Sequence, residues 1–135
     1  MSKGQKAQKD SGFKNEVRAT PGGANVLNCL LCGSCTAGCP VNEIDDGYNP
    51  RKIMRMVLLD QKEQIFESKE IWKCNQCHAC VSHCPQDVRF ADVVRALRAI
   101  AIEQGFDEQE LADKVEELDR KARKQRLSGI AKLLG

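Results

Sequence analysis

One cysteine pattern occurs twice in this chain of 135 residues and uses all eight of its cysteines. Motif one runs from Cys29 to Pro40, and motif two runs from Cys74 to Pro85. Both read C-x2-C-x2-C-x3-C-P, so each cysteine of motif one recurs 45 positions later. Eight thiols at this repeated spacing, confined to two short segments, indicate a pair of metal sites built from a duplicated unit.

The spacing predicts two [4Fe–4S] clusters with crossed ligation. In two-cluster ferredoxins the first three cysteines of such a run bind one cluster, and the fourth, which precedes proline, binds the other. We therefore expect cluster one to be bound by Cys29, Cys32, Cys35 and Cys84. We expect cluster two to be bound by Cys74, Cys77, Cys80 and Cys39. No residue of the chain is predicted to be catalytic.

Zinc and disulfides are the alternative uses of these cysteines. Zinc sites with four cysteines use paired C-x2-C units, which leave the third cysteine and the C-x3-C-P ending unexplained. Structural disulfides belong to oxidising compartments. The first 25 residues are basic and polar, without the apolar stretch of a secretion signal. The pattern therefore favours iron–sulfur clusters in a cytoplasmic protein.

Composition and missing motifs narrow the function further. A net charge of +2 and an aromatic content of 4% argue against nucleic-acid binding. No apolar run approaches the roughly 18 residues of a membrane span. The chain also lacks a dinucleotide glycine fingerprint, a phosphate-binding loop and a zinc-protease motif. These features predict an electron relay that works inside an oxidoreductase complex and is not catalytic by itself.

Helical patterns separate and follow the two motifs, and no segment shows strand alternation. Asn49 and Pro50 predict the N-cap and first residue of a helix that continues over residues 51–67. Apolar spacing predicts a second helix over residues 90–104, with Gly105 as its stop. We predict a mainly α fold, an α-helical ferredoxin with a pseudo-twofold duplication and no substantial sheet.

The composition also predicts how the chain divides into domains. We expect a flexible basic tail over residues 1–25, the two-cluster domain over 26–106, and a charged docking helix over 107–135. Within the tail, the spacing of Phe13 and Val17 is compatible with one helical turn that packs on a neighbouring element. The C-terminal helix is expected to break at Ser128 and Gly129, before a short apolar end.

The chain resembles the small ferredoxin-like subunit of heterodisulfide reductases, HdrC, over about residues 27–106. The resemblance is carried by the paired motifs, the helix start Asn49-Pro50-Arg51, the sequence Ile71-Trp72-Lys73-Cys74 before motif two, and the helix ending in Gly105-Phe106. It implies a hetero-oligomeric complex in which this subunit passes electrons from an HdrA-like flavin- and iron–sulfur-containing subunit to an HdrB-like subunit with CCG modules. It also implies that reduction of a coenzyme M–coenzyme B type disulfide, as in methanogenesis, takes place on the partner.

Two related assignments and one unrelated one stay open. A similar HdrC-like protein could serve a complex of sulfur metabolism. An iron–sulfur subunit of a quinone-linked dehydrogenase, of the succinate dehydrogenase or fumarate reductase type, is the second alternative. The chain lacks the [2Fe–2S] domain usual in that group. A structural metal module without redox activity is the third.

Overall fold

The computed structural model describes residues 12–135, which form helices joined by short turns and contain no strand. The predicted mainly α fold is therefore confirmed. The helices are α1 (residues 12–19), α2 (Ser34–Ala37), α3 (Pro40–Ile44), α4 (Pro50–Leu58), α5 (Lys62–Ser68), α6 (Ala79–His83), α7 (Phe90–Glu103) and α8 (Gln109–Leu133). A 3-10 turn precedes each motif: Val26–Asn28 lies before motif one and Glu70–Lys73 before motif two. No helix in residues 12–135 is both long and apolar enough to span a membrane.

Helix α7 supplies much of the hydrophobic core. Its buried residues are Phe90, Ala91, Val93, Val94, Ala96, Leu97, Ile100 and Ala101. Burial of each large side chain among them stabilises the fold by about 1.5–3 kcal/mol. The helix ends as predicted at Gly105, whose φ is +81°, and the backbone N–H of Phe106 then donates to the Ala101 carbonyl at 2.8 Å. The helix that follows motif two therefore forms the centre of the fold.

The segment predicted as one helix over residues 51–67 is two helices. Its start is confirmed, since the Asn49 side chain accepts a hydrogen bond from the Lys52 N–H at 3.0 Å and Pro50 is the first helical residue. The prediction was wrong at Asp60, which has a φ of +58° and separates α4 from α5. The Asp60 carboxylate accepts a hydrogen bond from the Lys14 N–H at 2.9 Å. The break therefore joins this region to α1, a contact between residues far apart in the sequence.

Part of the predicted N-terminal tail packs against the rest of the domain. Residues 12–19 form α1, in which Phe13 is 5% exposed and Val17 is 0% exposed. The Phe13 ring meets the Phe66 ring edge to face, with centroids 5.7 Å apart. Two apolar side chains four residues apart share one helical face, and this face finds an aromatic partner on α5. Residues 1–11 of the predicted tail lie outside the described residues.

The C-terminal helix α8 continues to Leu133, so the predicted break at Ser128 and Gly129 was wrong. Gly129 has open space where a side chain would be, so solvent surrounds this turn. Leu127 and Leu133 are 64% and 87% exposed. The first half of α8 lies along an open groove beside α7. Its role in docking and the division of the chain into domains stay predictions.

Candidate metal centre

The two motifs have the same backbone conformation. Residues two and four positions after the first cysteine have positive φ: Leu31 (55°), Gly33 (86°), Gln76 (56°) and His78 (64°). Left-handed residues turn the chain sharply. As a result, the Leu31 N–H donates to the sulfur of Cys29 at 3.4 Å. In motif two, the Gln76 N–H donates to the sulfur of Cys74, also at 3.4 Å. Each loop therefore curls around the sulfur atom of its own first cysteine.

The third cysteine of each motif lies on a short helix, and these two helices pack against each other. Cys35 belongs to α2 and Cys80 to α6. At their contact, a Cβ atom on Gly38 would lie 2.2 Å from Cδ2 of His83. Gly38 and His83 each precede the fourth cysteine of their motif. A contact between equivalent positions marks the pseudo-twofold axis that relates the motifs.

One cavity collects cysteines from both motifs and is called cavity one. Its thiols are Cys29, Cys32, Cys35 and Cys84, and its other walls include Leu30, Leu31, Arg51, Met54, Val88 and Phe90. Three of the four cysteines come from motif one, and Cys84 comes from the end of motif two. The walls are mostly apolar, which limits access of water to the sulfur atoms.

Cavity two shows the reverse arrangement. Its thiols are Cys39, Cys74, Cys77 and Cys80, and its walls include Pro40, Val41, Tyr48, Pro50, His78, Phe90 and Ala91. Three cysteines now come from motif two, and Cys39 comes from the end of motif one. Phe90, the first residue of α7, lines both cavities. The structure therefore brings the eight cysteines together in the two groups of the crossed prediction; ligation itself stays a prediction.

Burial controls the protonation of several thiols. It raises the pKa of Cys29 and Cys35 above their ordinary value, and raises that of Cys80 to about 11. The Cys35 thiol of cavity one adds to the rise at Cys80 of cavity two. At the exposed Cys32, a hydrogen bond with the Ser34 hydroxyl, 3.3 Å away, lowers the pKa. Binding of metal to the buried thiols must therefore release protons.

Both cavities fit an iron–sulfur cluster by the chemistry of their donors. Each offers four thiol groups, the soft ligands that iron–sulfur clusters use. Their first cysteines already accept backbone hydrogen bonds, from Leu31 in cavity one and from Gln76 in cavity two. Hydrogen bonds of this kind orient a metal ligand and adjust the potential of the metal.

The sequence did not single out three residues at these sites. Tyr48 and Phe90 line the cavities. Arg98 of α7 donates from Nη2 to the Cys74 carbonyl at 2.7 Å and from Nε to the Ile71 carbonyl at 3.0 Å. The one available signal for Tyr48 is its rarity, since it is the only tyrosine in the chain. No local pattern marks Arg98, because it meets Cys74 from 24 positions away.

Residues 25–88 match a family model described as a 4Fe-4S dicluster domain. The matched segment includes all eight cysteines. Together with the four thiols in each cavity, this confirms the cofactor prediction: the domain binds two [4Fe–4S] clusters.

Curated relatives extend the match beyond the domain. The chain is 33% identical over 103 residues to the C2 subunit of the H2/formate:CoB-CoM heterodisulfide,ferredoxin reductase of Methanococcus maripaludis, covering 71% of this chain and 55% of the relative. It is 36% identical over 99 residues to the C subunit of the ferredoxin:CoB-CoM heterodisulfide reductase of Methanosarcina acetivorans, covering 73% and 39%. It is 38% identical over 81 residues to the C 2 iron-sulfur subunit of the CoB--CoM heterodisulfide reductase of Methanocaldococcus jannaschii, covering 60% and 42%.

These relatives confirm the predicted resemblance to the HdrC subunits of heterodisulfide reductases. The aligned region spans about half or less of each relative's own length, from 39% to 55%. The similarity over this region supports an iron–sulfur electron-transfer role for the dicluster domain.

Proposed function

We propose that this chain is the electron-transfer subunit of a heterodisulfide reductase-like complex. In this proposal, cluster one is held by Cys29, Cys32, Cys35 and Cys84, and cluster two by Cys74, Cys77, Cys80 and Cys39. The observation that carries it is the composition of the two cavities, each with three cysteines from one motif and one from the other. Crossed ligation then makes each half of the domain dependent on the other.

The chain's own residues hold the two carriers side by side. When bound, two [4Fe–4S] clusters supply one-electron carriers. Phe90 lines both cavities, and α2, which contains Cys35, packs on α6, which contains Cys80. Apolar walls limit water at the sulfur atoms, and Cys32 and Cys77 are the exposed thiols at the surface of each site. An exposed thiol at each site suits electron transfer to or from a partner that binds there.

The partners belong to the same proposal. An HdrA-like protein with flavin and iron–sulfur clusters would donate electrons. An HdrB-like protein with CCG modules would accept them and reduce a CoM-S-S-CoB type disulfide in a hetero-oligomeric complex of methanogenesis. The names of the three relatives support this assignment. All eight cysteines of the chain are assigned to the clusters, so disulfide reduction falls to the partner. A cytoplasmic location of the protein agrees with the use of its cysteines as metal ligands.

Ligand substitutions test the crossed assignment. Cys84→Ser should remove or alter the same electron paramagnetic resonance signal as Cys32→Ser, because both belong to cluster one. Cys39→Ser should instead reproduce the effect of Cys77→Ser. Iron and acid-labile sulfide should fall by up to about half in each variant. Ser82→Ala, which removes an exposed hydroxyl of motif two, is the matched control.

The crossed assignment is wrong if Cys84→Ser behaves like Cys77→Ser. If every serine variant loses both clusters, the test is repeated with cysteine-to-glycine variants and an external thiol, which fits the space left by the side chain and serves as the fourth ligand.

Electron transfer tests the assignment to a complex. The chain, reduced anaerobically, should be reoxidised by an HdrB-like protein with CCG modules in the presence of CoM-S-S-CoB, as followed by visible absorbance. The same mixture without the disulfide is the control. Rapid oxidation by a quinone, with no oxidation by the HdrB-like protein and the disulfide, would instead support the quinone-linked alternative. Reaction with a partner from sulfur metabolism would support the alternative of a sulfur-metabolism complex.

A further inference from the structure

Tyr48 is a buried residue whose hydroxyl lacks a partner. Its side chain is 0% exposed, yet the hydroxyl oxygen makes no hydrogen bond within the described residues. The backbone around it is well fixed, since its N–H donates to the Asp45 carbonyl at 3.0 Å and its carbonyl accepts from Asn42 at 2.7 Å. A buried hydroxyl without a partner costs about 1–3 kcal/mol. Such a group calls for an acceptor that completes it.

The Tyr48 side chain shares its cavity with four cysteines, those of cavity two. A phenol keeps its proton at neutral pH, so the Tyr48 hydroxyl can act as a donor. The cysteine sulfur atoms that line the same cavity are suitable acceptors.

Cys74 is the sulfur on which other donors already converge. Gln76 donates to it twice, from the backbone N–H and from Nε2, each at 3.4 Å. Arg98 fixes the Cys74 carbonyl and brings a positive charge next to it. The counterpart sulfur, Cys29, accepts the equivalent backbone bond from Leu31. A leucine there has no second donor to offer.

We propose that Tyr48 donates a hydrogen bond to the Cys74 thiolate of cluster two and thereby raises the reduction potential of cluster two above that of cluster one. The proposal rests on the crossed ligand assignment proposed above. Hydrogen bonds and positive charge next to cluster sulfur stabilise the reduced, more negative state. In a half-reduced chain the single electron then resides on cluster two. Tyr48 is thus a positioning residue that gives the relay a direction.

Removal of the hydroxyl is the first test. In the full-length chain with both clusters, Tyr48→Phe should lower the potential of cluster two and leave that of cluster one unchanged. The measurement is an anaerobic redox titration followed by electron paramagnetic resonance, with signals assigned through Cys77→Ser and Cys32→Ser. Ser34→Ala, which removes the hydroxyl next to Cys32 in cavity one, should lower the potential of cluster one instead.

A second test strengthens the donor and keeps the hydroxyl in place. Because Tyr48 is the only tyrosine of the chain, growth on 3-fluorotyrosine labels this position alone. Fluorine makes the phenol a stronger donor, so the potential of cluster two should rise, opposite to the effect of Tyr48→Phe. Resonance Raman spectra of the unlabelled protein in D2O should also show shifted Fe–S(Cys) frequencies, and Tyr48→Phe should reduce that shift.

The outcomes separate this proposal from the ligand assignment. Unchanged potentials for Tyr48→Phe and for the fluorotyrosine protein, with full iron and sulfide content, would overturn the role of Tyr48 while the ligand assignment stands. A shift in cluster one alone would also overturn it. If Cys39→Ser and Cys77→Ser affect different clusters, the ligand assignment fails first, and the ligands of the cluster that Tyr48 shifts identify its true neighbour.

Discussion

The two motifs differ in their side chains far more than in their backbones. Equivalent positions carry Leu27 and Trp72, Leu30 and Asn75, Leu31 and Gln76, and Gly38 and His83. The opening of cavity one is apolar, and Leu30 there is 70% exposed. Near cavity two, Trp72 donates from Nε1 to the Asp107 carboxylate at 2.9 Å and stacks with Arg98 at 5.1 Å. The same ligand loop thus occupies two different chemical environments.

This difference shows which part of the repeat is set by ligation. Positive φ at the second and fourth positions after the first cysteine recurs in both motifs, because the loop must surround its own sulfur atoms. The side chains between the cysteines are free to diverge. Each site can therefore have its own potential and its own partner surface while its ligands remain the same.

The largest expected effect comes from the arginine that supports motif two. Arg98→Gln removes hydrogen bonds from a charged group to the Ile71 and Cys74 carbonyls and should lower the free energy of unfolding by about 3 kcal/mol. In motif one, Arg51 donates to the Leu31 carbonyl at 2.6 Å from an exposed position. Arg51→Gln should therefore cost clearly less. Anaerobic urea unfolding of both variants checks the comparison, and equal losses would contradict it.

The contact on the pseudo-twofold axis should give an intermediate effect. Gly38→Ala places a methyl group against the His83 ring and should cost about 1–3 kcal/mol, as overpacking does. The double variant Gly38→Ala/His83→Ala should recover most of this loss, since it restores the space. Gly129→Ala, where space is open, is the control and should not destabilise. No recovery in the double variant would show that another neighbour limits Gly38. Thermal unfolding measures all three.

The smallest effect is expected at the edge of cavity one. Leu30→Asn introduces the residue that motif two has at the equivalent position, and it should change the free energy of unfolding by less than about 0.5 kcal/mol. Leu30 is mostly exposed, so little burial is lost. Urea unfolding with full cluster content checks this, with Asn75→Leu as the reciprocal variant. A loss above about 1 kcal/mol would mean that the apolar edge stabilises the fold.

The sequence predicted the features that repeat or that depend on neighbours along the chain. The eight cysteines, the Asn49 cap and the stop at Gly105 all have local signatures, and the structure has each in place. The two mixed groups of cysteines could also be anticipated, because the motif itself specifies a fourth ligand for the other site.

The remaining features depend on contacts between distant segments. Asp60 ends α4 where it meets Lys14, 46 positions away, and the packing of Phe13 on Phe66 orders residues that composition alone marks as a tail. The Tyr48 side chain lines cavity two, and the Arg98 guanidinium binds the Cys74 carbonyl, each from an element outside motif two. Single-sequence patterns contain no signal for such pairs, since neither partner changes the local periodicity.

The contact between Gly38 and His83 has a consequence for the origin of the repeat. In a homodimer of two identical half-chains, this position would meet its own copy across the axis. Two glycines would leave a gap there, and two histidines would compete for one space, since a single Cβ on Gly38 would already lie 2.2 Å from the ring. The present pairing of small with large requires two halves with different sequences. A duplication within one polypeptide meets this requirement, because each half can then change without changing the other.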